Sequence, residues 1–180
     1  MKVLAVIVLL SIAAPVFAQA QSTGPQPTVG CGPQKIEFDV TTDDKQRPTA
    51  PPDAAKAHVY FLQDDSEFAS HPRPTVRFGV DGAWVGATHS NSYFFVSVDP
   101  GEHHLCVSWQ GIVGIGPQRR EAALHFTTAA GTDYYFRAND IFDADLHSGR
   151  PAVVVFEPLD SDEAQLLMSK FSFSTSTLKK

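Results

Sequence analysis

The chain has 180 residues and a formal net charge of −6 at pH 7. This acidic balance argues against a nucleic-acid-binding protein and against attachment to an anionic membrane surface, because both select basic patches. The length fits one domain, and no motif in the chain calls for a cofactor.

The N-terminus predicts a secretory signal peptide over residues 1–20. A short basic start, Met1-Lys2, precedes an apolar run over 3–16, and Ala18-Gln19-Ala20 has the small-x-small pattern of a signal peptidase site. The run of about 14 residues is shorter than the roughly 20 that span a bilayer as a helix, so we expect no stable membrane insertion after cleavage. The mature protein is predicted to be periplasmic or secreted.

Cys31 and Cys106 are the only cysteines, and two cysteines in an exported chain are more often paired than free. Leu105 and Val107 flank Cys106 on a predicted strand, so burial of these two would turn Cys106 outward. An N-terminal arm that crosses the outside of the sheet would then bring Cys31 to it. The alternative, a redox-active or metal-binding thiol pair, lacks a Cys-x-x-Cys spacing.

Residues 21–54 are predicted to form an N-terminal arm and loop, with one short edge strand at 36–41. The segment 43–53 is rich in proline, aspartate and threonine, and prolines cannot donate to a β-ladder. A β-sandwich domain is predicted over 55–172. It opens with a strand at 57–63, which is rich in β-branched and aromatic residues.

Two successive hairpins over residues 75–109 organise this domain. Val76 and Phe78 alternate with polar or small residues, which indicates a strand with one buried face. Asp81-Gly82 offers the positive backbone angles of a tight turn, and Asp99-Pro100-Gly101 predicts a second turn.

Beyond the hairpins the chain changes from strand to helix periodicity. Three more strands are predicted, at 121–128, 133–138 and 151–157. Asp160 and Glu163 then stand in capping-box relation ahead of an apolar helical stripe, so we expect a helix that packs on the sheet. Residues 173–180 are predicted to be a frayed polar tail.

The number and type of these segments indicate the fold class. They amount to about eight short strands, frequent turns and one terminal helix, and no alternation of strands with helices supports a parallel sheet. The predicted fold is all-β, an antiparallel β-sandwich of about eight strands with one C-terminal α-helix.

Five short motifs follow one another along the domain: Ala57-His-Val-Tyr-Phe, Val80-Asp-Gly-Ala-Trp-Val-Gly, Ser92-Tyr-Phe-Phe-Val, Pro100-Gly-Glu-His and Gly131-Thr-Asp-Tyr-Tyr-Phe-Arg. In this order they resemble the bacterial family called domain of unknown function 2846, from about residue 55 to the helix. The Asp-Gly and Pro-Gly turns are also similar to those of PEGA-type surface β-domains. The resemblance implies export, a β-sandwich and no established activity, and it brings no catalytic residue.

An acidic stretch is the best candidate for a metal site. Its oxygen-bearing side chains are Asn139, Asp140, Asp143 and Asp145, and calcium is the hard cation that prefers such ligands. The spacing departs from an EF-hand loop, which needs a glycine turn and a distal glutamate. A solvated acidic loop is the alternative interpretation.

Aromatic residues supply the candidates for ligand binding. Trp84, just after the Asp-Gly turn, is the best candidate for an exposed residue, and Tyr135 is a second. Burial in the core is the alternative for each, and Tyr93 is expected to be buried. No Gly-x-Ser-x-Gly elbow or metalloprotease motif is present, so no catalytic residue is predicted.

These observations favour an exported, non-catalytic module of the cell envelope, either binding or structural. Its expected partner is a cell-wall component or an envelope protein, with no nucleic acid and no cofactor. The alternative is a metal-dependent hydrolase in the periplasm that uses the acidic stretch as its ion site.

Overall fold

The computed structural model describes residues 30–51, 53–69, 72–111, 118–142 and 152–180. In these ranges the chain forms eleven strands and one helix. In chain order they are β1 (Phe38–Asp43), β2 (Ala57–Asp64), β3 (Thr75–Val80), β4 (Ala83–His89), β5 (Ser92–Val98), β6 (Gly101–Gln110), β7 (Gln118–Arg119), β8 (Glu121–Thr128), β9 (Asp133–Ile141), β10 (Ala152–Pro158), α1 (Ser161–Met168) and β11 (Ser172–Leu178).

The strands form a seven-stranded sheet in the order β1-β11-β5-β2-β9-β10-β7 and a four-stranded sheet in the order β4-β3-β6-β8. The predicted all-β fold with one C-terminal helix is confirmed. There are more strands than the predicted eight, and the larger sheet is mixed, because β2 runs parallel to β9 and β5 runs parallel to β11. Parallel strands are usually joined by a crossover helix, which gives a strand–helix–strand pattern in the sequence. Here several other strands connect the parallel partners, so that pattern is missing.

The two sheets enclose the main hydrophobic core. Val59 and Phe61 of β2 pack in one cluster with Phe78 of β3 and Val107 of β6, and all four are fully buried. The ring centroids of Phe61 and Phe78 are 4.9 Å apart. Val76 of β3 is also fully buried, as predicted, but Arg77 on the opposite face is buried as well, so the prediction that only one face of β3 is buried is wrong.

The central strand β2 is covered on both faces. It lies between β5 and β9, and all eight of its residues are buried. Tyr60 and Leu62 alternate with the core residues of β2 and pack in a second cluster with Leu167 and Phe171. The outer face of the larger sheet therefore carries its own small apolar layer under α1.

Helix α1 begins where the sequence predicts. The carboxylate of Asp160 accepts a hydrogen bond from the backbone N–H of Asp162 at 2.8 Å, which satisfies one free amide of the first turn. Ala164 is fully buried, and Met168 packs on the second apolar cluster. The helix thus packs on its own sheet, as expected.

The C-terminal segment is a strand, and the prediction of a frayed polar tail over 173–180 is wrong. β11 pairs antiparallel with β1 along the whole of β1. Two of its serines also bond to the other sheet: Ser174 Oγ donates to the carbonyl oxygen of Ala87 at 2.9 Å, and the N–H of Ala87 donates to Ser176 Oγ at 3.0 Å. The strands of the sandwich run from Phe38 to Leu178, beyond the predicted limits of 55–172.

An N-terminal arm over residues 30–36 crosses the outer face of the four-stranded sheet. A disulfide joins Cys31 to Cys106, whose Cα atoms are 4.9 Å apart. Leu105 and Val107 are buried in the main core, whereas Cys106 points to the opposite face and is covered by the arm. The predicted pairing and the predicted arm are both confirmed.

The arm lies against β3 at a point where only glycine fits. A Cβ atom on Gly79 would stand 2.5 Å from the carbonyl oxygen of Gly30. Farther along the arm, Arg77 Nη1 donates to the carbonyl oxygen of Gln34 at 3.0 Å and to that of Ile36. The sheet therefore holds the arm by backbone contact and by a buried guanidinium as well as by the disulfide.

His103 links the two hairpin turns. Its Nδ1 lies 2.6 Å from Asp81 Oδ2, and its Nε2 lies 2.7 Å from the carbonyl oxygen of Asp99. Two acceptors favour the doubly protonated ring. Burial lowers the pKa of His103, but the hydrogen bonds to Asp99 and Asp81 outweigh burial, so the net effect is to raise that pKa.

We expect an NMR titration to give His103 a pKa above the ordinary histidine value of about 6.5. The stability that protonated His103 contributes to the fold is then complete below a pH of about 6.5 and is lost as the pH rises through the folded-state pKa of His103. The variant Asp81→Asn removes one charged acceptor and should move the pKa back toward its ordinary value. The same change at exposed Asp39 should not. A His103 pKa at or below the ordinary value contradicts the two-acceptor geometry.

Helix α1, the one helix in the described ranges, lacks the length and apolarity needed to cross a bilayer. The predicted signal peptide, residues 1–20, lies outside the part of the chain that the structure describes.

Candidate functional site

Three tyrosines form the floor of a groove on the outer face of the seven-stranded sheet. Tyr60 of β2, Tyr93 of β5 and Tyr135 of β9 line it together, and its volume is about 500 Å³. We call this feature the tyrosine groove. It combines an aromatic floor with polar groups at its rim, which is the usual composition of a small-ligand site.

The strand register brings the tyrosines together. Tyr60 and Tyr135 are direct partners in the parallel pair β2–β9, and Tyr93 is the partner of Leu62 in the antiparallel pair β2–β5. The rings of Tyr60 and Tyr135 are stacked, with centroids 5.0 Å apart and an interplanar angle of 26°. Because β2 contributes its outward residues here, the floor rests directly on the packed core.

The walls of the groove come from two separate segments. One is the segment 47–50, which lies within the predicted loop 43–53; the N–H of Ala50 donates to the Tyr60 hydroxyl oxygen at 3.1 Å. The other is α1 and its C-cap, which contribute Gln165, Met168 and Ser169. The groove is thus open along its length and closed on two sides.

One residue of each charge borders the groove, Arg47 and Asp133. Asp133 Oδ1 lies 2.9 Å from Nδ1 of the buried His58, and the Asp133 side chain is 44% exposed. Arg47 is exposed, and its Nη1 donates to the carbonyl oxygen of Gln46 at 2.7 Å. The rim therefore offers a carboxylate and a guanidinium that both remain open to solvent.

The tyrosine hydroxyls remain protonated at neutral pH. Burial raises the pKa of Tyr60, Tyr93 and Tyr135, and the negative charge of Asp133 raises the pKa of Tyr60 and Tyr135 further. Arg47 acts in the opposite direction on the pKa of Tyr93. Asp133 thus influences Tyr60 and Tyr135, while Arg47 influences Tyr93, and all three hydroxyls can donate hydrogen bonds.

Of the two predicted ligand-binding residues, the groove contains Tyr135 but not Trp84. Trp84 is only partly exposed, and its Nε1 donates to the carbonyl oxygen of Pro33 in the arm at 2.8 Å. The guanidinium carbon of Arg77 lies over the Trp84 ring, 4.5 Å from the ring centroid. This corrects the expectation of an exposed Trp84, which instead holds the arm. Tyr93 is buried, as expected.

The predicted calcium site is not assembled by its described residues. Asn139 and Asp140 lie in β9 rather than in a loop, and adjacent strand residues point to opposite faces. Asp140 is fully buried and accepts hydrogen bonds from Trp109 Nε1 at 2.6 Å and Gln63 Nε2 at 2.8 Å. The other two predicted ligands, Asp143 and Asp145, lie outside the described residues. Within the described ranges, no group of three or more histidine, cysteine or acidic side chains could hold a metal ion.

Asp140 belongs to a buried polar network that the sequence did not indicate. Gln63 receives a hydrogen bond from Thr88 Oγ1 at 2.7 Å, so the chain of bonds runs from Thr88 through Gln63 to Asp140. Asp65 is also fully buried, and Arg73 Nη1 lies 3.3 Å from its Oδ2 without a well-directed hydrogen bond. We call Asp65 and Asp140 the buried carboxylates.

The buried carboxylates resist ionisation. Burial raises the pKa of Asp65 to about 6, against the partial compensation that Arg73 provides. Burial also raises the pKa of Asp140 well above the ordinary value, and the charge of Asp65 adds to this effect despite the hydrogen bond from Trp109. Both carboxylates are fully buried, so their expected influence is on stability.

Comparison with known proteins gives one match. The sequence model of the family described as "protein of unknown function (DUF2846)" matches residues 53–154, more than half of the chain. No curated protein and no solved structure gives a significant match. The floor of the tyrosine groove and Asp133 lie inside the matched region, whereas Arg47 and α1 lie outside it.

Proposed function

Because the chain belongs to the DUF2846 family, to which no function is attached, we propose from its geometry that it is an exported, non-catalytic binding module of the cell envelope. The observation that carries the proposal is the tyrosine groove. The groove combines a floor of three tyrosines, open charged groups and a ligand-sized volume.

The Cys31–Cys106 disulfide supports export. Disulfides persist in oxidising compartments such as the periplasm and the cell exterior, and they are rare in the reducing cytosol. The N-terminal pattern over residues 1–20 supports the same compartment. The partner that fits this location is a cell-wall component or an envelope protein.

The arrangement of the groove supports binding rather than catalysis. Tyrosine contributes a large, rigid and amphipathic contact area with few rotatable bonds, which favours recognition. Asp133 and His58 form a hydrogen-bonded pair, but His58 Nε2 is buried and has no partner among the described residues. A base that activates a nucleophile needs that nucleophile within hydrogen-bond reach.

We expect the purified, oxidised protein to be retained by isolated cell-wall sacculi or by an envelope extract, with mass spectrometry to identify what is bound. Tyr135→Ala should weaken retention about fivefold, because one aromatic contact contributes roughly 1 kcal/mol. Leu178→Ala is the control, since Leu178 is an exposed apolar residue that does not line the groove.

Circular dichroism and a urea titration show whether Tyr135→Ala still folds. A folded Tyr135→Ala variant with unchanged retention removes the groove from the binding surface. Absence of retention for the unmodified protein on both sacculi and extract overturns the envelope-binding proposal.

A further inference from the structure

We propose that the tyrosine groove binds a zwitterionic amino-acid group, with its ammonium beside Asp133 and its carboxylate beside Arg47. The inference rests on the proposed binding function and names the chemical class of the ligand. A free amino acid, or a short peptide with both ends free, carries both charges. The proposed ligand is a molecule of this kind, and a glycan chain is the competing occupant that the experiment must exclude.

The Asp133 end suits a cation. The Asp133 side chain is 44% exposed, and its only hydrogen bond among the described residues uses Oδ1, so Oδ2 faces no protein donor there. Tyr135 lines the same groove, and the face of an aromatic ring attracts an ammonium ion within about 6 Å of its centroid. A carboxylate together with an aromatic ring is a favourable setting for an ammonium group.

The Arg47 end suits an anion. Arg47 is exposed and makes one hydrogen bond among the described residues, to a backbone carbonyl, which leaves most of its five donors available there. A planar guanidinium matches a carboxylate through two parallel hydrogen bonds. Arg47 also lowers the pKa of Tyr93, which indicates that its charge acts on the Tyr93 side of the groove.

The balance of charge selects a neutral ligand that carries both signs. The groove has one guanidinium and one carboxylate at its rim. A phosphate or uronic-acid polymer would bring further negative charge toward Asp133, and a neutral glycan would leave both ions without a partner. Only a ligand with separated opposite charges pairs both groups at once.

Calorimetric or NMR titration with alanine, dialanine and trialanine tests the proposal, because the two charges lie progressively farther apart in this series. A ligand of this size should bind with a Kd of about 1 mM at the best spacing. N-acetyl-dialanine, which lacks the ammonium, and dialanine amide, which lacks the carboxylate, should each bind about tenfold more weakly than dialanine.

Two variants assign the ends of the ligand. Arg47→Gln should weaken dialanine and N-acetyl-dialanine but leave dialanine amide unchanged. Asp133→Asn should weaken dialanine and dialanine amide but leave N-acetyl-dialanine unchanged. Arg120→Gln is the matched control, since Arg120 is exposed and does not line the groove. Urea titrations confirm that each variant folds.

The outcomes separate this inference from the proposed function. If sacculi retain the protein while no zwitterion binds at about ten times the expected Kd, or if glycan fragments and not dialanine release it, the inference is overturned and the envelope function stands. If dialanine binds and the Arg47→Gln and Asp133→Asn variants show the expected effects, but neither sacculi nor extract retains the protein, the site stands and the envelope function fails. Equal binding of dialanine and its two blocked forms overturns the inference in either case.

Discussion

Removing the disulfide should lower the free energy of unfolding by about 4 kcal/mol. Cys31 and Cys106 are 75 residues apart, so the bond restricts a long loop of the unfolded chain. The variant with Cys31→Ser and Cys106→Ala breaks it, and alanine is chosen for the second position because Cys106 is fully buried. Urea titrations of the oxidised protein and of the double variant measure the loss.

A reducing agent provides the control for this prediction. It should destabilise the unmodified protein by a similar amount and leave the double variant unchanged. Tryptophan fluorescence gives a second signal, because Trp84 lies against the arm whereas Trp109 is buried in the main core. A loss below about 1 kcal/mol would mean that the other contacts to the arm already fix the chain without the covalent bond.

Between about pH 4 and pH 6 the protein should lose stability as the pH rises, by about 3 kcal/mol from Asp65 alone. The pKa of Asp65 is raised from 3.8 to about 6 in the folded state. Within this window the folded state binds more protons than the unfolded state, so raising the pH favours unfolding. The contribution of Asp65 is complete below its unfolded pKa and is lost as the pH passes its folded pKa.

The other groups with shifted pKa values change the stability in the same direction as Asp65 or over a different pH range. Asp140 has a raised pKa and extends the decline to higher pH. Hydrogen bonds and neighbouring cations lower the pKa values of Asp81 and Asp99, partly against burial, so their stabilisation is present above about pH 4 and is lost in more acidic solution. The range from pH 4 to pH 6 therefore isolates the buried carboxylates.

Urea titrations at half-unit steps of pH, with Asp65→Asn compared with the unmodified protein, test this prediction. Asp65→Asn removes one titrating group with little change in shape and should make the decline between pH 4 and pH 6 shallower, leaving the part that Asp140 contributes. Asp39→Asn is the matched control, because Asp39 is exposed on β1 and its replacement should preserve the slope. A profile that rises through this window, or one that Asp65→Asn leaves unaltered, contradicts the assignment.

Local sequence patterns predicted the parts of the fold that local physics determines. The alternation around Val76 and Phe78, the turn at Asp81-Gly82 and the cap at Asp160 each depend on residues within a few positions of one another. The disulfide was predictable for a different reason, because two cysteines allow one pairing and the strand period of 2 places Cys106 on the outer face. The tail over 173–180 was mistaken because serine and threonine occur both in frayed ends and in edge strands, and the pairing of β11 with β1 is not local.

The candidate site was predictable only in part. Tyr135 was identified as an aromatic candidate, but nothing in the sequence places it beside Tyr60, because that contact depends on the parallel register of β2 and β9. The same limit applies to Asp140, whose neighbours suggested a solvated loop and whose actual partners come from β2 and β6. Contacts between distant strands determine which of several chemically similar residues becomes a site.

The pairing of β1 with β11 also affects how the protein is made. Thr41 and its partner Thr175 are separated by 134 residues. A ribosome adds roughly 5 to 20 residues per second, so β1 emerges about 7 to 27 seconds before the strand that covers it. During that interval β1 is a nascent strand without its partner, exposed to chaperones, proteases and neighbouring chains. Completion of the larger sheet therefore waits for the synthesis of β11, and a pause or premature stop before Ser172 would leave β1 unpaired.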